Sequence, residues 1–168
     1  MLGELPDFDP EALLRRLVEG GVDFVVVGGV AAVAHGSAYF TQDLDISYAP
    51  DAENLDRLGK VLVGLGARLR GVTDDVPFIP DGRTLRRTRV LTLETPQGNL
   101  DLLAEPDGAP VYERLRERAA RERVAGVEVL IASLDDLIAM KRAAGRPKDL
   151  VAVEELEAIQ RLRRELDT

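Results

Sequence analysis

Apolar positions along the chain switch between two periods, and the switches mark its elements. After Asp9-Pro10, the run EALLRRLVEGG places leucines at helical spacing, with Asp9 as N-cap, Pro10 in the first turn and Gly20-Gly21 as the stop. Residues 23–27 (DFVVV) are short, apolar and β-branched, the signature of a buried strand that ends at glycine. GVAAVAHG then reads as a short helix opening at Gly28-Gly29. DLDIS (43–47) alternates polar and apolar, the period of a strand with one functional or wet face. Pro50 and Asp51 open a helix to about Leu65, followed by a short strand, ARLRGV, and a Pro- and Asp-rich loop, TDDVPFIPDG. TRVLTLET (88–95) and NLDLL (99–103), joined by PQG, predict an antiparallel hairpin. EPDGAP is a loop, VYERLRERAARER a charged helix, and VAGVEVLIA a turn and strand. Ser133 caps LDDLIAMKRAAG, with Asp136 in a capping-box-like position. Gly145 ends that helix, and Pro147 starts another that runs to the C-terminus. The order predicts an α+β fold, a mixed β-sheet flanked by helices with a helical C-terminal section. We expect one domain over 1–168, with its core at about 22–132 and C-terminal helices at about 133–166.

Composition changes this picture little. Of 168 residues, 45% are hydrophobic and 31% charged, an ordinary globular balance in which no apolar run reaches the length of a membrane span. The first residues, MLGELPDFDP, show no secretory apolar region. Without cysteine there are no disulfides and no thiolate metal sites. The expected location is cytoplasmic, with no membrane partner. A net charge of −8 argues against a broad nucleic-acid-binding surface. Arginine is nevertheless clustered at 83–89, 114–123 and 161–164, where solvated surface is the plain explanation and a local RNA contact the other.

Chemistry enters with two features. A strand that runs through Gly28-Gly29 into a helix start can offer free amides to an anion, although a tight turn alone would also use this pair. It is neither a dinucleotide fingerprint, since Val30 and Val33 stand where glycine would be needed, nor a P-loop, since no Gly-Lys-Ser/Thr follows. Asp43 and Asp45 lie at i and i+2 on a strand, so both carboxylates share a face while Leu44 and Ile46 point to the core. Such a pair stays ionised beside a cation or in solvent, and a hard divalent ion is the natural cation. Anion site and carboxylate pair lie about 15 residues apart, close enough in a compact unit to share one cleft, which suggests a nucleoside triphosphate with Mg²⁺. Asp101, in the apolar run NLDLLA, supplies a third carboxylate whose burial calls for a neighbouring arginine or a metal. If its strand lies beside that of Asp43 and Asp45, three carboxylates suffice for two Mg²⁺ ions, with Mn²⁺ as a substitute.

These residues resemble the nucleotidyltransferase fold superfamily, the DNA polymerase β-like group. Gly28-Gly29, a short helix and Thr41-Gln42-Asp43-Leu44-Asp45 match its glycine-pair and D-x-D signature, and Asp101 matches its later single carboxylate. More narrowly, GGVAAVAHGSAYFTQDLDI and SLDDLIAMKRAAGRPKDLVAVEEL resemble the abortive-infection type nucleotidyltransferases, which include toxins of bacterial toxin–antitoxin systems. The resemblance covers about residues 22–157. It implies transfer of a nucleoside monophosphate from an NTP to a hydroxyl acceptor, with release of pyrophosphate and dependence on Mg²⁺. A tRNA end or a protein side chain is the favoured acceptor, and a cognate antitoxin a possible partner. Gly28, Gly29 and Thr41 would hold phosphates, and Asp43, Asp45 and Asp101 would be catalytic and bind metal. Lys141 and Asp149 would bind nucleotide, with Arg146 and Lys148 close by; their plain reading is charge balance at helix ends. One departure is Tyr39, where relatives often carry arginine; the tyrosine either packs or stacks on a base. His35, the sole histidine, is expected to be structural. The alternative function is a catalytically weak or inactive nucleotide-binding or regulatory module on the same fold.

Overall fold

The computed structural model describes residues 7–72 and 78–168. The elements are α1 (Pro10–Glu19), β1 (Phe24–Val27), α2 (Gly28–Ala34), β2 (Asp43–Tyr48), α3 (Ala52–Leu65), β3 (Arg68–Leu69), α4 (Gly82–Arg87), β4 (Val90–Thr95), β5 (Gly98–Leu103), α5 (Tyr112–Arg118), β6 (Ala120–Val124), β7 (Val127–Ile131), α6 (Leu134–Ala144) and α7 (Pro147–Leu166). Among the described residues the strands form one mixed sheet in the order β3-β4-β5-β2-β1-β7-β6. β1 runs antiparallel to β2, and β2 runs parallel to β5. This is the mixed sheet with flanking helices that the periodicity predicts. No helix among the described residues is long and apolar enough to cross a membrane.

The element ends follow local chemistry. Asp9 caps α1 by accepting from the Ala12 amide at 3.0 Å, Asp51 caps α3 through Asn54 at 3.1 Å, and Ser133 caps α6 through Asp136 at 3.1 Å. The expected capping box at Ser133 is only half made, because the Asp136 carboxylate instead meets Arg118 at 3.2 Å. One apolar cluster spans the chain from Leu13 to Leu156. Leu44 and Ile46 of β2, Leu100 and Leu102 of β5, and Val25 and Val26 of β1 are fully buried, so the alternate residues of β2 and β5 must face the other way. Asn54, also buried, accepts from the Asp23 amide at 2.7 Å and donates to the Asp23 and Ala49 carbonyls at 3.0 and 2.9 Å, fastening α3 to the start of β1.

One expectation needs correction. The charged helix over VYERLRERAARER stops at Arg118, and Ala120–Val124 form the edge strand β6. Helix propensity in that stretch yields to pairing with β7, through a two-residue turn at Ala125 and Gly126 that has positive φ at both positions (48° and 81°). Its arginines and glutamates then line a sheet edge, where charge discourages further pairing. The basic cluster at 83–89, to which the periodicity assigns no element, contributes most of α4, capped by Asp81 accepting from the Thr84 amide at 2.8 Å. The part of the predicted loop at 73–77 lies outside the described residues.

The C-terminal helices are tied back to the sheet. His35 ends α2 and is buried; its Nε2 lies 2.7 Å from the Ala132 carbonyl, and its Nδ1 lies 3.0 Å from the Arg163 guanidinium of α7. Nε2 therefore donates and Nδ1 accepts, the neutral tautomer, consistent with burial lowering its pKa. Ser37 donates to Glu155, whose other oxygen accepts from the Ala38 amide at 3.2 Å. Loop 36–42 is thereby anchored to α7 on one side of a cleft.

Candidate active site

The parallel pairing of β2 with β5 sets Asp45 opposite Asp101 and Asp43 opposite Asn99. With their leucine and isoleucine neighbours in the core, these polar side chains emerge on one face. The three aspartates line a cleft of about 700 Å³ together with Gly28, Gly29, Tyr39, Thr41, Lys141 and Asp149. The structure thus brings all eight sequence-derived candidates to one place, with Arg89, Arg146 and Lys148 also on its wall.

The carboxylates sense one another. Burial pushes Asp45 up to about 7, and the negative charge and hydrogen bond of Asp101, then the charge of Asp43, push the same way; Lys141 pulls weakly against them. Asp43 accepts from Asn99 Nδ2 at 3.1 Å. Asp101 Oδ1 accepts from Arg70 Nη2 at 2.5 Å. Among the described residues no three acidic or histidine side chains stand together as a ready-made ion cage. The donor set is still that of a hard cation: all oxygen, and crowded.

The glycines are required by this crowding. Gly28 has φ +66°, and a methyl there would fall 2.8 Å from Asp45 Cγ and closer still to its Oδ2. A methyl on Gly29 would lie 2.8 Å from Thr41 Oγ1. The Thr41 hydroxyl donates to the Asp43 carbonyl at 3.2 Å and accepts from the Asp43 amide at 3.4 Å, so it steadies the residue that leads into the carboxylate pair.

On the opposite wall, Asp149 is buried at the start of α7. Its Oδ2 accepts from the Arg146 Nε at 2.7 Å and the Arg146 amide at 3.2 Å, while Oδ1 lies 3.5 Å from Lys141 Nζ. One carboxylate therefore both closes the helix end and aims Lys141 from α6. Hydrogen bonding to Arg146 holds the Asp149 carboxyl below its ordinary value. Its folded-state affinity for protons is thus weaker than the unfolded one, and its contribution is complete above pH 4 and lost as pH falls further. Asp149→Asn should therefore remove a stabilising contribution at pH 7 and flatten the acid limb of a melting-temperature profile. It should also raise the KM for NTP about tenfold by releasing Lys141, roughly the 1.4 kcal/mol of one charged contact. An unchanged KM would separate Asp149 from the nucleotide.

Tyr39 does not pack into the core. It is 60% exposed, beside Phe40 at 78%, and borders both the main cleft and an adjoining space of about 540 Å³ whose wall includes Ala32, Val151 and Leu156. Arg70 is the residue that sequence reasoning did not single out, although a neighbouring arginine is one of the two explanations that the burial of Asp101 demands. Its only advance signal is an arginine inside the short strand segment ARLRGV.

A search of curated protein sequences returns no match. Among solved structures, the lincosamide antibiotic adenylyltransferase LnuA, lincomycin-bound, superposes with a TM-score of 0.61 at 15% identity, covering 91% of this chain and 99% of that one. ANT(2'')-Ia in complex with adenylyl-2''-tobramycin gives 0.54 at 16% identity, covering 94% and 96%. At such identities the likeness is one of fold, the nucleotidyltransferase fold. A family model described as "Nucleotidyl transferase AbiEii toxin, Type IV TA system" matches residues 12–151, most of the chain and every candidate residue above. The chain belongs to the AbiEii nucleotidyl transferase toxin family.

Proposed function

We propose that the protein transfers a nucleoside monophosphate from an NTP to a hydroxyl group, releasing pyrophosphate, and that it does so with Mg²⁺. The observation that carries this reading is the register Asp45–Asp101 across adjacent parallel strands, with Asp43 on the same face and Gly28, Gly29 and Lys141 around the same cleft. Asp43 and Asp45 would hold the nucleotide's metal, and Asp45 with Asp101 a second. A divalent ion there supplies charge neutralisation at the phosphates and acidifies the attacking hydroxyl. Gly28 and Gly29 let the backbone come close to the phosphates, Lys141 contributes a point charge, and Asp149 keeps that charge in place. Tyr39 offers an exposed ring at the adjoining space, where a nucleoside base would stack. Rate enhancement comes from positioning and charge, without a covalent enzyme intermediate.

The acceptor we favour is macromolecular, a tRNA end or a protein hydroxyl, because the cleft is open and Arg89, Arg146 and Lys148 border it. That suits a toxin held in check by a cognate antitoxin in the bacterial cytoplasm. The hold of Arg70 on Asp101 favours a second reading, a nucleotide-binding module with little turnover. The test offers each α-labelled NTP with total tRNA, cell protein or aminoglycoside, in Mg²⁺ or EDTA. Label in one fraction, dependent on Mg²⁺ and matched by pyrophosphate, is the expected result. Binding of NTP without pyrophosphate from any fraction would select the second reading.

A further inference from the structure

Three strands and the residue just past a fourth carry one lateral row of polar groups. Asp45 on β2 faces Asp101 on β5, Asp101 pairs with Thr92 on β4, and the Arg70 amide, just past β3, donates to the Thr92 carbonyl at 3.0 Å. Arg70 then sends its guanidinium back along the row. Nη2 donates to Asp101 Oδ1 at 2.5 Å and to the Leu93 carbonyl at 2.9 Å, and both partners of the ion pair are largely shielded, at 29% and 16% side-chain exposure. Nε is buried with no hydrogen-bond partner among the described residues. A guanidinium that gives up one of its donors in order to reach a carboxylate is there for the carboxylate.

We infer that Arg70 is a positioning residue for Asp101: it holds one carboxylate oxygen, orients the carboxylate beside Asp45, and sets how strongly that carboxylate draws in a divalent ion. The inference rests on the metal-dependent reading above. Two effects follow with opposite signs. The guanidinium competes with a metal for Asp101 and cancels one negative charge, so it weakens ion binding. It also fixes the orientation of the carboxylate, so it favours the productive arrangement. A purely structural arginine would produce neither opposition.

The experiment measures Mn²⁺ binding to the full chain by electron paramagnetic resonance, without nucleotide or acceptor, for wild type, Arg70→Gln, Asp101→Asn and the double variant. Far-ultraviolet circular dichroism and melting curves first establish that each is folded; the neutral Arg70→Met takes the place of Arg70→Gln if the latter is not. Arg70→Gln is expected to bind Mn²⁺ three- to tenfold more tightly, and the gain should vanish in the Asp101→Asn background, the mark of direct coupling. Where the labelled acceptor fraction is in hand, kcat should fall at least tenfold with KM for NTP within threefold, and millimolar guanidinium ion should restore part of kcat in Arg70→Ala. Equal or weaker Mn²⁺ binding by a folded Arg70→Gln, or a gain that persists without Asp101, overturns the inference while leaving the metal reading intact. Absence of Mn²⁺ binding by wild type overturns both.

Discussion

Asp45→Asn is expected to abolish nucleotidyl transfer, by on the order of 10³-fold, and at the same time to make the metal-free protein more stable. The two effects have one cause. Asp45 is half-buried beside two other carboxylates, and desolvation with their negative charge pushes its pKa up to about 7. Its folded-state affinity for protons exceeds that of the unfolded chain, so the stabilising, protonated form is complete below pH 4. That advantage is lost as pH rises through about 7. At pH 8 the wild type therefore carries an uncompensated charge. Asparagine has the same shape, no charge, and an amide that can donate to Asp101. A gain of about 1–2 kcal/mol, or roughly 3–6 °C in melting temperature at pH 8, is expected, shrinking toward nothing at pH 4. Saturating Mg²⁺ should raise the melting temperature of the wild type and leave that of Asp45→Asn unmoved. The measurement is a melting-temperature profile from pH 4 to 8, with and without Mg²⁺. A variant less stable than wild type at pH 8 would mean that Asp45 is satisfied by protein groups alone and is no cation ligand.

The same crowding explains which parts of the molecule could be read from its sequence. Local signals sufficed where local chemistry decides. The caps Asp9, Asp51 and Ser133, the left-handed stop at Gly145 and the hairpin around Pro96-Gln97 all lie within a few residues of what they control. The period-two pattern of β2 separated Leu44 and Ile46 from Asp43 and Asp45, and so identified the face that meets the cleft. The strand β6 was missed because its residues favour helix locally, and only pairing with β7 makes them a strand. The turn at Ala125-Gly126 was the available sign. Arg70 and Asn54 were beyond a local reading. Each acts on a residue 31 positions away, and neither distance leaves a periodic trace. Even the charge logic that demanded a partner for Asp101 could not say which arginine would be within reach.

Gly28→Ala should damage the fold and the transfer activity together. Two independent costs add. The backbone at Gly28 sits at φ +66°, a conformation that costs an alanine about 1–2 kcal/mol. The methyl would also overlap the Asp45 carboxylate and crowd its Cβ at 3.0 Å, so the side chain beside Asp101 and Asp43 must give way. Either β2 shifts against α2, or the carboxylate rotates away from the cleft. Together these predict a loss of about 2–4 kcal/mol, or roughly 5–12 °C in melting temperature, and a fall in transfer of at least about 10²-fold. Gly126→Ala separates the two costs. Gly126 also has positive φ, at 81°, but a methyl there meets nothing within 4 Å, and it lies in the β6–β7 turn far along the sheet from Asp101. That variant should lose only the backbone contribution, about 1 kcal/mol, and keep full transfer activity. The decisive comparison is the difference between the two variants in Mn²⁺ binding and in transfer rate. If Gly28→Ala behaves like Gly126→Ala in both, the close approach of Gly28 to Asp45 does not govern the site, and the glycine serves only the turn.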